Sequence, residues 1–414
     1  MKTIAVVGAG IGGLAAAWWL SRHYRVTLFE AREYAGGHTH TVPVRREYGH
    51  YEVDTGFIVF NDRTYPLFRR LLAELGIDGQ PTTMGFSVHG GETDPEYCGD
   101  GPGGFFAWRR NLFSPEHWRL LREILRFNRD APRFVDEHSG EPSLGELLEQ
   151  GGYSEGFRRH YLRPMGAAIW SCGEGDIEDF PARFFVEFFH NHGLLSLRDR
   201  PQWYVVPGGS ARYVQALLAR LDADLRLHCP VRSVRRLANG IRVDSQVGTE
   251  DFDEVVLACH SDQALQLLTD ASPEETTLLS GIAWRENEVV LHTDTRLLPR
   301  NRRAWSSWNA RLGTGDDRQV RVTYNMNILQ GLDALETFCV SLNSSADIDP
   351  DRVLGRYRFF HPLFTRGAVR CREKIGETNG RHHTWFCGAW CGNGFHEDGV
   401  ASAAAVARAL GVSL

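Results

Sequence analysis

The residues best suited by type and spacing to do chemistry open the chain. Gly8-Ala-Gly10-Ile-Gly12-Gly13 follows an apolar run, Thr3–Val7, and leads into a helix-forming run, Leu14–Leu20. In a GxGxxG turn the first glycine permits the tight bend and the second lets backbone approach a pyrophosphate. The third lets helix and strand pack closely, and the phosphates then face a helix N-terminus. Glu30 stands 20 residues after Gly10, where an acid accepts hydrogen bonds from a ribose hydroxyl and disfavours a 2′-phosphate. Strand, glycine turn, helix and strand in this order open a dinucleotide-binding fold. Beyond Glu30 comes a second glycine pair, Gly36-Gly37, followed by His38 and Thr39. It lets the chain double back over a bound cofactor.

The elements that must position these residues are bounded by composition. The chain has 414 residues, 42% hydrophobic and 24% charged, with net charge −6. That excludes disorder, collagen and coiled coil, argues against a nucleic-acid partner, and predicts two to three domains. Eight Cys without a C-x-x-C pair argue against a disulfide scaffold or a zinc ribbon and suit a reducing cytoplasm; no metal site is expected. Ile4–Leu20 is uncharged but holds four glycines, and only Lys2 precedes it. It reads as a strand and a helix, not as a membrane span or a signal peptide.

Further along, helices are expected at Pro66–Leu75, from Ser114-Pro115 toward Phe134, at Phe157–Trp170, Pro181–His190, Gly209–Leu221 and Gly399–Leu410. Strands are expected at Gln202–Val206, Leu225–Leu227, Ser233–Leu237, Ile241–Val243 and Glu254–Cys259. More are expected at Glu288–Thr293, Ala304–Trp308, Val320–Met326 and Thr337–Leu342, the last four as an antiparallel sheet, and a final one at Trp385–Cys387. Nucleotide-fold signals at both ends and in the middle predict a discontinuous domain carrying an insertion. The boundaries are 1–60, 200–285 and 372–414 for the nucleotide domain, and 61–199 and 286–371 for the substrate domain.

Several motifs act jointly. Glu30-Ala31 with Gly36-Gly37, Asp54-Thr-Gly56, Pro207-Gly208-Gly209, Pro230–Val234 and Val255–Cys259 lead to the long turn Phe386–Val400. Together they resemble the flavin amine oxidase and phytoene desaturase superfamily. GGHTHTV (36–42), DTGFIVFN (54–61), AAIWS (167–171), VPGGS (206–210) and GFHEDG (394–399) resemble one bacterial amine-oxidase-like subfamily. Its members are often encoded beside cyclopropane-fatty-acid-synthase-like methyltransferases. The resemblance implies an α/β fold: a Rossmann-like FAD-binding domain of glutathione-reductase type, with an inserted α+β substrate domain containing an antiparallel sheet. It implies FAD held non-covalently by Gly8, Gly10, Gly12, Gly13, Glu30, Ala31, Gly36, Gly37, His38, Thr39, Asp54, Gly56, Pro207, Gly208, Gly209, Val231 and Ala258. From the C-terminal turn it adds Gly388, Ala389, Trp390, Phe395, His396, Glu397 and Val400. His38 replaces the family's Arg and lacks its fixed charge and fork. Trp390 stands where many relatives carry an acid.

Amine oxidases of the superfamily place a Lys, through a water, at flavin N5 and cage the amine with aromatic rings. Of the 46 basic residues here only Lys2 and Lys374 are Lys. Lys2 begins the first strand and Lys374 lies in CREKIGE, so both are expected at the surface. The cage position is Phe395, whose ring attracts a cation less than Trp or Tyr. Both features point to a C–H bond in an apolar molecule. His396, Phe395 and Asn393 are the catalytic candidates, and Trp203, Tyr204, Trp305, Trp308 and Asn309 the substrate-lining ones. The expected activity is hydride transfer from an apolar, fatty-acyl or lipid substrate to flavin N5, with oxygen or another acceptor taking the electrons. Two alternatives remain open: an amine oxidase releasing hydrogen peroxide, and an FAD-stabilised protein that binds a lipid or a partner enzyme. A fatty-acid-modifying methyltransferase is the partner the resemblance suggests.

Phe105–Val135 carries seven Arg against Glu116, Glu123 and Asp130 in an acidic chain. Trp108 and Trp118 accompany a leucine-rich run. Such a helix either lies in a membrane interface or packs on the protein with a solvated Arg face. The expected location is cytoplasmic, with peripheral contact to the inner membrane face.

Overall fold

An unbroken apolar strand is buried on both faces only where helices cover a parallel sheet, and the first strand meets that condition. The computed structural model describes residues 1–91, 94–138, 140–170, 177–313 and 320–414. Ser171 of the AAIWS motif lies outside them. In chain order the elements that position the site are β1 (Thr3–Val7), α1 (Ile11–Leu20), β2 (Arg25–Phe29), α2 (Pro66–Glu74), α3 (Pro115–Glu137), α4 (Ala182–Asn191), β3 (Ala223–Arg226), β4 (Glu254–Leu257), α5 (Arg366–Thr378), β5 (Thr384–Phe386) and α6 (His396–Ala409).

Five strands form a parallel sheet in the order β3-β2-β1-β4-β5. The chain leaves β1 toward β2 on one side, and β4 flanks β1 on the other. The C-terminal end of β1 is therefore a switch point, where open α/β sheets bind ligands. Gly8 begins there. Helix α1 (IGGLAAAWWL) is buried nearly all round because α6 (HEDGVASAAAVARA), equally rich in small residues, packs along it. A three-stranded meander, Val231–Leu237, Gly240–Ser245 and Gly248–Phe252, crosses between β3 and β4.

A second, seven-stranded sheet runs Val353–Pro362, Trp284–His292, Cys339–Leu342, Arg321–Asn325, Trp308–Arg311, Phe86–His89 and Tyr97–Cys98. All its pairs are antiparallel except Trp308–Arg311 with Phe86–His89. The expected strand at Ala304–Trp308 is displaced: Arg302–Ala304 is a single 3₁₀ turn, and pairing begins at Trp308. Asn301 caps that turn by accepting from the Arg303 N–H, which competes with strand formation. The strand Val353–Pro362 was not expected. It pairs with Trp284–His292 along its length, and exposed Arg356 and Arg358 alternate there with Tyr357 and buried Phe359. Helices α3 and α4 pack together in a separate aromatic core. Among the described residues no helix is long and apolar enough to cross a membrane.

Candidate functional site

The glycine turn has the shape a pyrophosphate needs. Gly8 has φ +103, and a Cβ there would lie 2.9 Å from the Ala258 carbonyl oxygen. A Cβ at position 13 would overlap the Gly8 carbonyl oxygen, whereas one at position 10 meets nothing within 4 Å. The open space lies in front of α1. Its N-cap is Gly10, which has no side chain to cap with, so the first helical amides lack the partner that a helix N-terminus requires. This is the observation that fits an anion at the turn. Gly36 docks onto the same turn through its N–H to the Ala9 carbonyl (2.8 Å), which places Gly37 against Gly10.

Glu30 closes the side of the cradle. Its carboxylate accepts from the Ala9 N–H (2.8 Å) and the Arg32 N–H (2.9 Å). Those bonds fix its orientation and leave lone pairs for a ribose. Ala31 is exposed beside it. The segment leading to Val231 is brought alongside by the Cys229 N–H to the Glu30 carbonyl and the His228 N–H to the Arg32 carbonyl.

The C-terminal turn reaches the cradle from the other end. A Cβ at Gly12 would be 3.2 Å from the Gly388 Cα, and one at Gly399 would be 2.7 Å from the Ile11 side chain. These contacts bring Gly388, Ala389 and buried Val400 against the front of α1. The Trp390 indole is buried and donates to the Cys259 carbonyl (3.0 Å). It packs in the core under the turn; no carboxylate stands there. The Arg372 guanidinium on α5 donates to the Gly392 carbonyl and to Asn393 Oδ1 (2.9 Å), and lies over the Phe184 and Phe364 rings. Asp398 accepts from the Phe395 N–H (2.8 Å). Arg372 and Asp398 together fix the backbone from 392 to 398.

His396 corrects an expectation. Its Nε2 meets Tyr213 Oη (2.9 Å) and Thr39 Oγ1 (3.0 Å), and its ring stacks on Phe57 at 3.5 Å and 7°. Burial holds the imidazole well below its ordinary pKa. It joins the Gly36–Thr39 loop to α6, so its side chain positions the turn. Glu397 is also spent internally: it accepts from the Leu67 and Phe68 N–H groups, both 2.9 Å, and so caps α2. Burial pushes its carboxyl up to about 7.

Asp54 is likewise a joint. Fully buried, it accepts from Thr41 Oγ1, from the Ser210 N–H and hydroxyl, and from Gln330 Nε2. Desolvation raises its carboxyl to about 7. These bonds tie the turn Pro207-Gly208-Gly209 to the loop after Gly37. Gly56 packs on the His38 carbonyl. His38 directs Nε2 to the Phe360 carbonyl (3.1 Å) and sits among Phe359, His361 and His260. Desolvation lowers it to about 4. A neutral imidazole facing the second sheet thus replaces the family's cation.

The five substrate candidates separate. Trp203 stacks on His192 (6.1 Å), which stacks on Phe188 (3.9 Å), and Phe188 stacks on Phe395 (4.9 Å). This row of rings flanks the N-cap of α6. Tyr204 packs on Phe60 instead, and Trp308 on Tyr324. Trp305 donates to the Pro299 carbonyl. Asn309 is fully buried, its amide spent on Ser87, Ser306 and Thr323; it staples the sheet and does not line a cavity. Lys2 and Lys374 are both exposed, Lys374 on α5. Phe188, Tyr213 and Arg372 escaped sequence reasoning, whereas Asp398 stood in the GFHEDG motif at the start of the last helix. Arg372, a cation two residues from the Lys374 already singled out, also carried a signal.

Comparison with known proteins places this geometry. The model of the family described as flavin containing amine oxidoreductase matches residues 11–320. AofH of Mycobacterium tuberculosis, named for a flavin-containing monoamine oxidase, is 28% identical over 265 residues, 62% of this chain and 56% of AofH. The chain thus spans about half the length of that relative. Two solved structures each share the fold. A CLA-producing fatty acid isomerase from P. acnes has TM-score 0.70 at 14% identity, covering 99% of both chains. Putrescine oxidase bound to putrescine has TM-score 0.68 at 16% identity, covering 99% of this chain and 98% of that one. The chain belongs to the flavin containing amine oxidoreductase family, and the dinucleotide that its cradle accommodates is FAD.

Proposed function

We propose that this protein is an FAD-dependent oxidoreductase acting on a C–H bond of an apolar substrate, a fatty-acyl chain or related lipid. The observation that carries this reading is the uncharged row Phe395, Phe188, His192 and Trp203 at the head of α6. Desolvation keeps the His192 imidazole down at about 4, so it is neutral. Both lysines are exposed. Bound FAD supplies a hydride acceptor and passes the electrons to oxygen or another acceptor. On this reading Gly8, Gly10 and Gly13 shape the pyrophosphate site, Glu30 orients the ribose, and Asn393 retains an amide N–H₂ for the flavin. Phe395 and its neighbours exclude water and hold the substrate chain. The fold likeness to a fatty acid isomerase supports an acyl substrate, while AofH, by its name, supports an amine.

Anaerobic visible absorption separates them. Bacterial lipid extract is expected to bleach the flavin band and an amine mixture to leave it intact, with Lys374→Ala behaving as wild type. Bleaching by amines alone, or loss of activity in Lys374→Ala, would restore the amine-oxidase reading. Tight FAD that no substrate reduces would favour a binding protein.

A further inference from the structure

Helix α3 resolves the ambiguity left by its composition by doing two things at once. Its stripe of His117, Leu120, Ile124, Phe127, Ala131 and Val135 is buried in the aromatic core beside α4. The opposite face, at the spacing of one helix side, carries Trp118, Arg122, Leu125, Arg129 and Arg133. Trp118 and Leu125 are 42% and 41% exposed, and the three arginines are exposed. Just before the helix, Leu112 and Phe113 are 44% and 86% exposed. The Trp118 indole donates to the Leu112 carbonyl (2.9 Å), so the apolar groups form one patch at the start of α3. Among the described residues Arg109, Arg122 and Arg133 are held in no ion pair. The acids of α3 are partly committed: Glu123 to Ser154, Asp130 to Arg129, exposed Glu116 to Ser114 and exposed Asp136 to Arg183, with exposed Glu137 ending the helix.

We infer that this face docks the protein on the surface of an anionic lipid bilayer. Aromatic and leucine side chains with no partner in the chain, bordered by uncommitted guanidinium groups, match the apolar boundary and negative headgroups of such a surface. The chain's net charge of −6 opposes approach by its other faces and so orients the molecule. The buried stripe of α3 rests on α4, and α4 supplies Phe188 to the ring row. Docking therefore sets that row one helix layer from the lipid.

The test is flotation of the FAD-loaded protein with vesicles of phosphatidylcholine alone, and with an equal mixture of phosphatidylcholine and phosphatidylglycerol. Binding to the mixed vesicles only, reduced at high salt, is expected. Arg122→Glu with Arg133→Glu should weaken it by at least about tenfold, and Phe113→Ser should also weaken it, with unchanged flavin spectrum and Tm. Absence of binding, equal binding to both vesicles, or indifference to the arginine changes would overturn the inference. So would a lipid-free dimer dissociated by Phe113→Ser, which would give the patch to a second copy. Turnover is not measured, so this inference and the redox reading fail independently.

Discussion

Gly10 and Gly13 differ in what a side chain would meet, and that difference separates binding from folding. A valine at 10 enters open space. Gly10→Val should leave the apoprotein within about 0.5 kcal/mol of wild type yet abolish the flavin absorption band. A valine at 13 collides with the Gly8 carbonyl. Gly13→Val should cost about 3 kcal/mol or more, visible as a lower Tm of the apoprotein as well as loss of flavin. A retained yellow colour in Gly10→Val would show that the cradle is not where the pyrophosphate sits. The roles of the individual glycines, and of Glu30, follow from local spacing and were legible in the chain. The partners of His396, Glu397 and Asp54 were not. Each bonds to residues far away in sequence, and a polar side chain near a cofactor motif reads alike whether it faces ligand or protein.

At the scale of elements, α6 is held at its head by groups from four other segments: Arg372 of α5, the amides of α2, Thr39 and Tyr213. Removing the carboxylate of Glu397 strips the acceptor from two α2 amides. Glu397→Ala should lower stability by about 1–2 kcal/mol, measured by denaturant unfolding, and should loosen FAD. Arg372→Met keeps the apolar stem over Phe184 and Phe364 but frees Gly392 and Asn393. It should raise the Kd for FAD while barely shifting the flavin spectrum; unchanged affinity would mean that the turn holds its shape alone. Helices α1, α2, α3, α4 and α6 and the parallel strands were anticipated because their periodicity and caps are local, whereas α5 was not. Val353–Pro362 was missed because its strand character comes from a partner across the sheet.

The whole molecule carries an electrostatic consequence. Desolvation keeps His38, His192 and His292 down at about 4, His89, His260 and His361 at about 3, and His396 well below its ordinary value. In the unfolded chain each protonates near 6.5. Their contribution is present above that value and is lost as pH falls toward 4. Asp54 and Glu397, raised to about 7 by burial, act oppositely: their contribution is present below the ordinary carboxylate range and is lost as pH rises through 7. The lowered imidazoles outnumber the raised carboxyls of Asp54, Glu397 and Asp398 and decide the sign, since the unfolded state binds more protons between 4 and 6.5. Stability should fall on acidification across that window, and the slope of Tm against pH should flatten in His38→Gln, His361→Gln. A Tm that rises as pH drops to 5 would contradict the burial of these rings.

Sequence alone determined the glycine turn and the family resemblance it carries, because such a turn is a local object: a strand, a glycine turn and a helix start, with an acid a fixed distance on. It also determined how few lysines the fold has to place, since the chain has only two. The tertiary structure decided which rings gather at the head of α6. Phe188, His192, Trp203 and Phe395 come from segments that meet only when the two sheets and the α3–α4 layer close on one another, so no spacing in the chain encodes their contact. It also decided the use of α3, because an amphipathic basic helix presents its apolar stripe either to the core or to a lipid surface. Only packing showed that the stripe was buried and that a second apolar patch stayed outside.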